Sequence, residues 1–284
     1  MISFVGAGPG APDLITLRGA ARLAAADVVV WASSLVPRAV LDHANPSAVV
    51  HDSAGMTLED VLGVYEQHPG AAIVRLHSGD PSVYGAIQEQ IDWCVAEERD
   101  FEIVPGVSSL GAAAAAAGCE LTVPGLAQSV VITRLAGRTA SSMPERQSVA
   151  SFAAHGATLA VFLSAAQPRE LQQSLLGPDS AFDGATPALI VVRASWPDQR
   201  VVWTTVGRLA ADLAATGART TVLVLVGPAL GRDRPDSLRS HLYDPGWAHL
   251  FRRRSRPGST EGRPIPGAAE RRVGSGPFPP GVSR

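Results

Sequence analysis

Apolar and polar positions along this chain switch repeatedly between a strand-like and a helix-like spacing. Compact apolar runs at Ser3–Gly6, Val28–Trp31, Ala72–Leu76, Glu102–Val104, Ser129–Thr133, Thr158–Leu163, Ala188–Val192 and Thr221–Val226 predict strands. Helical stretches are expected between them, at Leu17–Ala25, Thr57–Gln67, Ala86–Glu98, Ser108–Ala117, Pro144–Ala154, Arg169–Leu176 and Leu209–Ala215. Strand alternating with helix predicts an α/β fold with parallel-type layering. Four of the strands fall in the first 120 residues, and a Pro124-Gly125 break follows. Two α/β lobes are therefore expected, residues 1–122 and 123–251, rather than one continuous barrel. Thr16 is placed to cap the first helix, and Pro144 to stand in the first turn of a later one.

Composition sharpens this picture. A hydrophobic share of 46% over 284 residues can fill two cores, and an aromatic share of only 5% suits small helices laid on buried strands. Every basic residue is arginine. Residues 252–284 hold eight arginines against two glutamates, so the body carries −8 of a net −2. That tail is rich in Pro, Gly and Ser and has little to bury, so it should be disordered. It shows neither periodicity nor a nucleic-acid motif, so a solvated extension is expected, with no nucleic-acid partner. The longest apolar stretch, Leu110 to Cys119, is too short for a bilayer, so no membrane partner is expected either. Cys94 and Cys119 lack metal-ligand spacing, and the N-terminus enters a strand at once without an export signal. Reduced thiols in a cytoplasmic protein are expected. Seven histidines show no pairing at ligand spacing, so no metal is implied.

Candidate chemistry concentrates in loops that follow strands. His77-Ser-Gly-Asp-Pro81 lies at a strand's carboxyl end, where open α/β sheets place ligands. Gly79 permits close ligand approach, Asp80 offers an acceptor, and Pro81 fixes the exit direction. Gly6-Ala-Gly-Pro-Gly-Ala11 nominally satisfies G-x-G-x-x-A, the dinucleotide signature. Two features oppose that reading. Ala11-Pro12-Asp13 separate the glycines from the helix, and the second strand does not end in a ribose-binding acid.

Together these segments carry a family resemblance. Gly6-Ala-Gly-Pro-Gly-Ala-Pro-Asp-Leu-Ile-Thr-Leu-Arg18 resembles the opening signature of the tetrapyrrole (corrin/porphyrin) methylases. His77-Ser-Gly-Asp-Pro-Ser-Val-Tyr-Gly85 resembles their second signature and Val104-Pro-Gly-Val-Ser-Ser109 their third, in the same order and spacing. Further segments are similar to the branch that methylates carbon 11 of a corrin precursor. They are Trp31-Ala-Ser-Ser-Leu-Val36, Ser53-Ala-Gly-Met-Thr-Leu-Glu59, the run from Gly79 to Gln90, Thr133-Arg-Leu-Ala-Gly-Arg-Thr139 and Ser240-His-Leu-Tyr-Asp-Pro245. The uroporphyrinogen methylases instead carry an Asp-Arg pair and a Lys where this chain has Ala32-Ser33-Ser34 and His51-Asp52.

The resemblance implies a two-lobed fold with the active-site cleft between two α/β sheet domains. It also implies S-adenosylmethionine as methyl donor, S-adenosylhomocysteine as product, a small-molecule tetrapyrrole substrate and a homodimer. Cofactor contacts are expected from Pro9, Ser78, Gly79, Asp80, Val83, Ser108, Ser109, Leu163, Ala188 and Ala194, although the two alanines suit a core equally well. Substrate contacts are expected from Ser33, Ser34, Asp52, Met56, Arg134 and Arg138, the arginines matching carboxylates or serving in structural salt bridges. Arg75, at a strand end, is a further cation. Tyr84 and Asp80 are candidates for a catalytic role, Tyr84 by orienting the ring system or only by packing. Other readings stay open: another methylase of the family, a dinucleotide oxidoreductase, or a catalytically silent binding protein.

Overall fold

The computed structural model describes residues 1–136, 141–231, 240–248 and 250–255. The chain divides into two compact units. The first comprises Met1–Ala116, Val191–Val201 and Ala218–Leu223, and the second Ala117–Ile190, Val202–Gly217 and Val224–Arg284. Residues 191–201 and 218–223 thus group with the first unit, not with the remainder of 123–251. The tail expected to be disordered lies, from residue 256 onward, outside the described residues.

The first sheet contains β1 (Ile2–Gly6), β2 (Val28–Trp31), β3 (Val49–Asp52), β4 (Ile73–His77) and β5 (Phe101–Val104), in the order β3-β2-β4-β1-β5. Its strand pairs are parallel, with Gly6 opposite His77. Helices α1 (Leu17–Ala24), α2 (Leu58–Gln67), α3 (Gln88–Ala96) and α4 (Ser109–Ala117) connect or follow these strands. Side chains alternate across the sheet. Val5, Val29, Trp31, Val74, Leu76 and Val104 pack on one face with Leu23 of α1. Ile2, Phe4, Val28, Val30 and Ile73 pack on the other with Val61, Val64 and Tyr65 of α2 and Cys94 of α3. Each fully buried aliphatic side chain contributes roughly 1.5–3 kcal/mol.

The second sheet contains β6 (Val130–Arg134), β7 (Thr158–Phe162), β8 (Pro187–Val192), β9 (Arg200–Thr205) and β10 (Val222–Val226), in the order β6-β7-β10-β8-β9. Helices α5 (Val149–Ala153), α6 (Pro168–Leu175) and α7 (Leu209–Ala215) accompany it. β6 runs parallel to β7, but β10 runs antiparallel to it, so parallel layering does not extend through this sheet.

Two strands escaped the sequence pattern. Both are edge strands whose apolar runs are cut short by polar residues, Val49-Val-His-Asp52 in β3 and Arg200-Val-Val-Trp-Thr-Thr205 in β9. Two helix starts also differ. Pro144 precedes a short 3-10 turn, and α5 begins only after Ser148, whose hydroxyl accepts the Ser151 N–H at 3.1 Å. Helix α3 opens at Gln88 because Ala86 has φ of 48°, outside the helical region. Thr16 caps α1 as expected, accepting the Gly19 N–H at 3.1 Å.

Two polar side chains of β4 point to the α2/α3 face. Arg75 is half-buried, and His77 is only 6% exposed. Burial first, and the Arg75 charge second, push His77 down to about 3, against a backbone hydrogen bond with Gly85. Tyr65 is fully buried and donates to Gln90 Oε1 at 2.7 Å, while Gln90 Nε2 donates to the Ala86 carbonyl at 2.9 Å.

At the carboxyl end of the sheet the backbone closes tightly. A Cβ on Gly6 would stand 2.4 Å from Gly106 Cα and 2.6 Å from the Gly79 oxygen. One on Gly106 would stand 2.0 Å from that same oxygen. Gly63 in α2, by contrast, has nothing within 4 Å of an added Cβ.

Gly106→Ala should therefore destabilise the protein by about 3 kcal/mol or more. Gly63→Ala should stabilise it by roughly 0.5–1 kcal/mol; denaturant midpoints for both variants check the contrast. His77 gives a pH dependence with a definite sign. It titrates near 6.5 when unfolded and near 3 when folded, so the unfolded chain binds the extra proton. Its contribution should be complete above pH 6.5 and fall by on the order of 2 kcal/mol between pH 7 and 5. A His77→Gln variant that kept the wild-type slope over that interval would disprove this assignment.

Candidate functional site

The three signature loops leave the carboxyl ends of β1, β4 and β5, which are neighbours in the sheet. Beyond β1 the chain continues its pairing with the β4 loop. Ala7 N–H donates to the His77 carbonyl at 2.8 Å, Gly8 N–H to the Gly79 carbonyl at 3.3 Å, and Gly79 N–H to the Gly8 carbonyl at 2.8 Å. Gly8 at φ +79° and Gly79 at φ +66° occupy the left-handed region that glycine favours. A Cβ on Gly79 would meet Ser109 N at 3.7 Å and Ser108 Cα at 3.8 Å, so the β5 loop lies beside it.

Asp80 joins the second loop to the third. One carboxylate oxygen accepts the Gly106 N–H at 2.8 Å. The other accepts the Ser82 N–H at 2.8 Å and the Ser82 hydroxyl. Burial works to raise this carboxyl, but hydrogen bonds from Ser82 and the Gly106 amide outweigh it and hold it below the usual range. With both oxygens engaged, Asp80 fastens loops and is not placed as an acid–base group. Val83 is half-buried in the same turn, and Tyr84 is 46% exposed at φ 57°. Gly85 completes the turn, since a Cβ there would lie 2.1 Å from the Pro81 oxygen.

Residues 193–199, within the first unit, clasp the first glycine loop. Trp196 Nε1 donates to the Pro9 carbonyl at 3.0 Å, and Ala11 N–H donates to Ser195 Oγ at 3.0 Å. The indole lies so close to Gly10 that a Cβ there would be 2.1 Å from Trp196 Cδ1. The Arg193 guanidinium stacks over the indole at 4.1 Å and pairs with Asp198 at 2.6 Å. Ala194 is 6% exposed between Arg193 and Ser195, which hold φ of 51° and 65°. Such strain in non-glycine residues, about 1–3 kcal/mol each, concentrates at ligand-handling loops. Sequence reasoning missed Trp196 and Ser195, because an aromatic in a loop breaks no periodicity; Gly10 was the available signal.

The loops after β2 and β3 form the other half of this end. Asp52 accepts the N–H groups of Ser33 at 3.1 Å and Ala54 at 3.0 Å. The Ser33 hydroxyl and those two amides hold the Asp52 carboxyl below its usual range. Ser33, Ser34 and Asp52 are exposed, whereas Met56 is partly buried against the α2/α3-face core.

Of the residues expected from the second lobe, Leu163 follows β7, is 68% exposed and has φ of 52°. Ala188 is fully buried in β8 as a core residue of its sheet. Arg134 ends β6 and donates to Ser142 Oγ at 2.9 Å and to the Ala136 carbonyl at 3.4 Å. Arg138 lies outside the described residues.

The chain is similar to known proteins over most of its length. The chain is 42% identical over 253 residues to a cobalt-precorrin-4 C(11)-methyltransferase of Priestia megaterium, covering 88% of this chain and 96% of that one. It is 41% identical to a precorrin-4 C(11)-methyltransferase of Pseudomonas aeruginosa, covering 88% and 98%. The X-ray structure of the cobalamin biosynthetic enzyme cobalt precorrin-4 methyltransferase, CbiF, aligns at 41% identity and a TM-score of 0.77, covering 81% and 95%. A Thermus thermophilus uroporphyrin-III C-methyltransferase complexed with S-adenosylhomocysteine aligns at 29% identity and a TM-score of 0.66, covering 81% and 98%. Residues 1–210 match the family model of the Tetrapyrrole (Corrin/Porphyrin) Methylases, and the chain belongs to that family.

Proposed function

We propose that this protein transfers the methyl group of S-adenosylmethionine to carbon 11 of precorrin-4 or its cobalt complex. The observation that carries this reading is the convergence of all three signature loops at one sheet end. It occurs in a chain that matches precorrin-4 C(11)-methyltransferases over nearly their whole length. The departures at Ala32-Ser33-Ser34 and His51-Asp52 from the uroporphyrinogen pattern support a corrin precursor as the substrate.

The residues fit the cofactor. Gly8 and Gly79 present backbone without a Cβ, and Ser78, Ser108 and Ser109 are partly accessible around them. When bound, S-adenosylmethionine supplies an electrophilic methyl that an electron-rich ring carbon takes by direct displacement. Pro9, Ser78, Gly79, Val83, Ser108, Ser109 and Ala194 would hold it, with Trp196 and Asp80 keeping their loops in place. Ser33, Ser34 and Asp52 would face the tetrapyrrole, and Tyr84 would orient its ring. Holding two reactants in line and excluding water contributes roughly 7–11 kcal/mol to lowering such a barrier. No protein nucleophile is needed.

A homodimer in the cytoplasm completes the proposal. Exposed apolar residues support self-association, among them Leu242, Trp247, Leu250 at 89% and Phe251 at 90%. No described helix is long and apolar enough to cross a membrane.

Incubation with S-adenosylmethionine and precorrin-4, or its cobalt complex, should give a singly methylated product with the new methyl at carbon 11 by NMR. A methyl at another carbon would reassign the protein within its family. Asp80→Ala should weaken S-adenosylmethionine binding about tenfold or more by releasing the Gly106 amide. Calorimetry that finds the cofactor affinity unchanged would separate Asp80 from the cofactor loops.

A further inference from the structure

The loop between β8 and β9 closes on itself and directs its remaining polar groups at the first glycine loop. Trp196 N–H donates to the Arg193 carbonyl, and Gln199 N–H to the Trp196 carbonyl, each at 3.0 Å. Ser195 N–H donates to Gln199 Oε1 at 2.6 Å, and Arg193 pairs with Asp198. The Arg193 guanidinium lies over the indole of Trp196 at 4.1 Å, which restricts the ring. Two groups reach outward, the indole Nε1 and the Ser195 hydroxyl. They meet the Pro9 carbonyl and the Ala11 amide, on either side of Gly10.

The glycine loop needs those two bonds more than the β8–β9 loop does. Its course is fixed at one end by the Gly8–Gly79 bridge and at the other by the turn at Pro12–Leu14. Between them stands Gly10, which has no Cβ to restrict its backbone. Each peptide group is a rigid plane. The bond from Trp196 therefore orients the Pro9–Gly10 plane, and the bond to Ser195 the Gly10–Ala11 plane. The indole is also a wall: the three atoms nearest an added Cβ at Gly10 are its Cδ1, Nε1 and Cγ, at 2.1, 2.4 and 2.9 Å. Trp196 is half-buried and belongs to neither core of the first sheet, so its contacts organise a loop rather than a sheet.

We propose that Trp196 and Ser195 are positioning residues for methyl transfer. They set the backbone at Pro9 and Gly10 so that the methyl of S-adenosylmethionine points at the ring carbon that takes it. The proposal rests on the reading of the protein as a methylase that uses this cofactor. It adds that alignment is controlled from the β8–β9 loop, outside the three signature loops. That loop also carries Ala194, a cofactor contact in that reading, between Arg193 and Ser195 at φ of 51° and 65°. One loop thus supplies a contact and the hold on Pro9. A hold of this kind affects turnover more than affinity, because a small misplacement of two reactants costs much of their rate.

The test compares wild type with Trp196→Phe, Ser195→Ala, Gly10→Ala, Trp196→Ala and the combined Gly10→Ala/Trp196→Ala. S-adenosylmethionine affinity is read by calorimetry, precorrin-4 methylation as kcat and KM, and stability as melting temperature. Trp196→Phe keeps a ring and loses the Nε1 donor. It should weaken cofactor binding about three- to tenfold. It should lower kcat by roughly tenfold or more, with KM for precorrin-4 and melting temperature nearly unchanged. Gly10→Ala should cause a similar loss by displacing the indole. The combined variant should be no worse than Trp196→Ala alone, since the added methyl then enters vacated space. A further readout needs no turnover. With the five tryptophans replaced by 5-fluorotryptophan, S-adenosylmethionine should shift the fluorine NMR signal that Trp196→Phe lacks. Should Trp196→Phe melt early, Ser195→Ala, which removes one hydroxyl, should still lower kcat several-fold. A lower melting temperature beside unchanged cofactor affinity, kcat and Trp196 signal makes the clasp purely structural and overturns the proposal. Additive losses in the combined variant overturn it as well, because Gly10 then acts independently of the indole. Failure of wild type to bind S-adenosylmethionine overturns the methylase reading, and the positioning role with it.

Discussion

The contact on which the rest of the first unit depends is the meeting of Gly6, Gly79 and Gly106, backbone against backbone. No side chain fits among them, since the tightest distance, from a Cβ on Gly106 to the Gly79 oxygen, would be 2.0 Å. This closeness brings the ends of β1, β4 and β5 together so that their loops leave from a single spot. It also explains why a glycine recurs at each strand end without following the dinucleotide arrangement. In a dinucleotide fold the glycines lead directly into a helix that holds a pyrophosphate. Here a 3-10 turn at Pro12–Leu14 intervenes, and α1 begins at Leu17 behind its Thr16 cap. The glycines serve loop-to-loop contact instead.

Two carboxylates extend the same arrangement outward. Asp80 ties the β4 loop to the β5 loop through Gly106 N–H, and Asp52 ties the β3 loop to the β2 loop through Ser33 N–H. Both are held below their usual titration range by the hydrogen bonds they accept. Motif reading makes such residues attractive as catalytic acids or bases. In Asp80 both oxygens accept hydrogen bonds, and in Asp52 Oδ1 accepts two backbone amides. A methyl transfer from a sulfonium needs alignment more than proton transfer, and a site whose acids are used as fasteners suits that chemistry.

Most of the fold was legible because parallel strands buried on both faces read as continuous apolar runs. The core strands β1, β2, β4, β7, β8 and β10 all fall within a residue or so of their apolar runs. The edge strands β5 and β6 were found as well, but β3 and β9 were not, because polar residues cut their apolar runs to two or three positions. The antiparallel course of β10 beside β7 was equally hidden, since strand direction depends on connections rather than on composition. In the site, the three signature loops were readable from their glycines and prolines. The clasp formed by Ser195 and Trp196 was not, because it joins segments nearly two hundred residues apart and leaves only an unexplained Gly10 as its trace. Ala188 illustrates the opposite error of emphasis: small residues are common at close-approach sites and in cores, and its full burial places it in a core.

The two halves of the first sheet's carboxyl end differ in a way that bears on specificity. The half formed by β1, β4 and β5 is mostly backbone, with glycines and committed amides, and so can accept a ligand by shape with little charge. The half formed by β2, β3 and β4 is richer in polar side chains, with Arg75 bonded to Ser53 and Asp52 to the Ser33 amide. A cofactor common to a whole family needs only the first kind of surface. A substrate that must be told apart from other tetrapyrroles needs the second, because buried polar groups discriminate far more strongly than apolar ones when a partner is missing. The substitution of Ala32-Ser33-Ser34 and His51-Asp52 for the uroporphyrinogen pattern falls in that second half. Two kinds of surface thus lie on adjacent strands of one sheet, and β4 contributes to both: its loop to the glycine contact, its Arg75 to the hydrogen bond with Ser53.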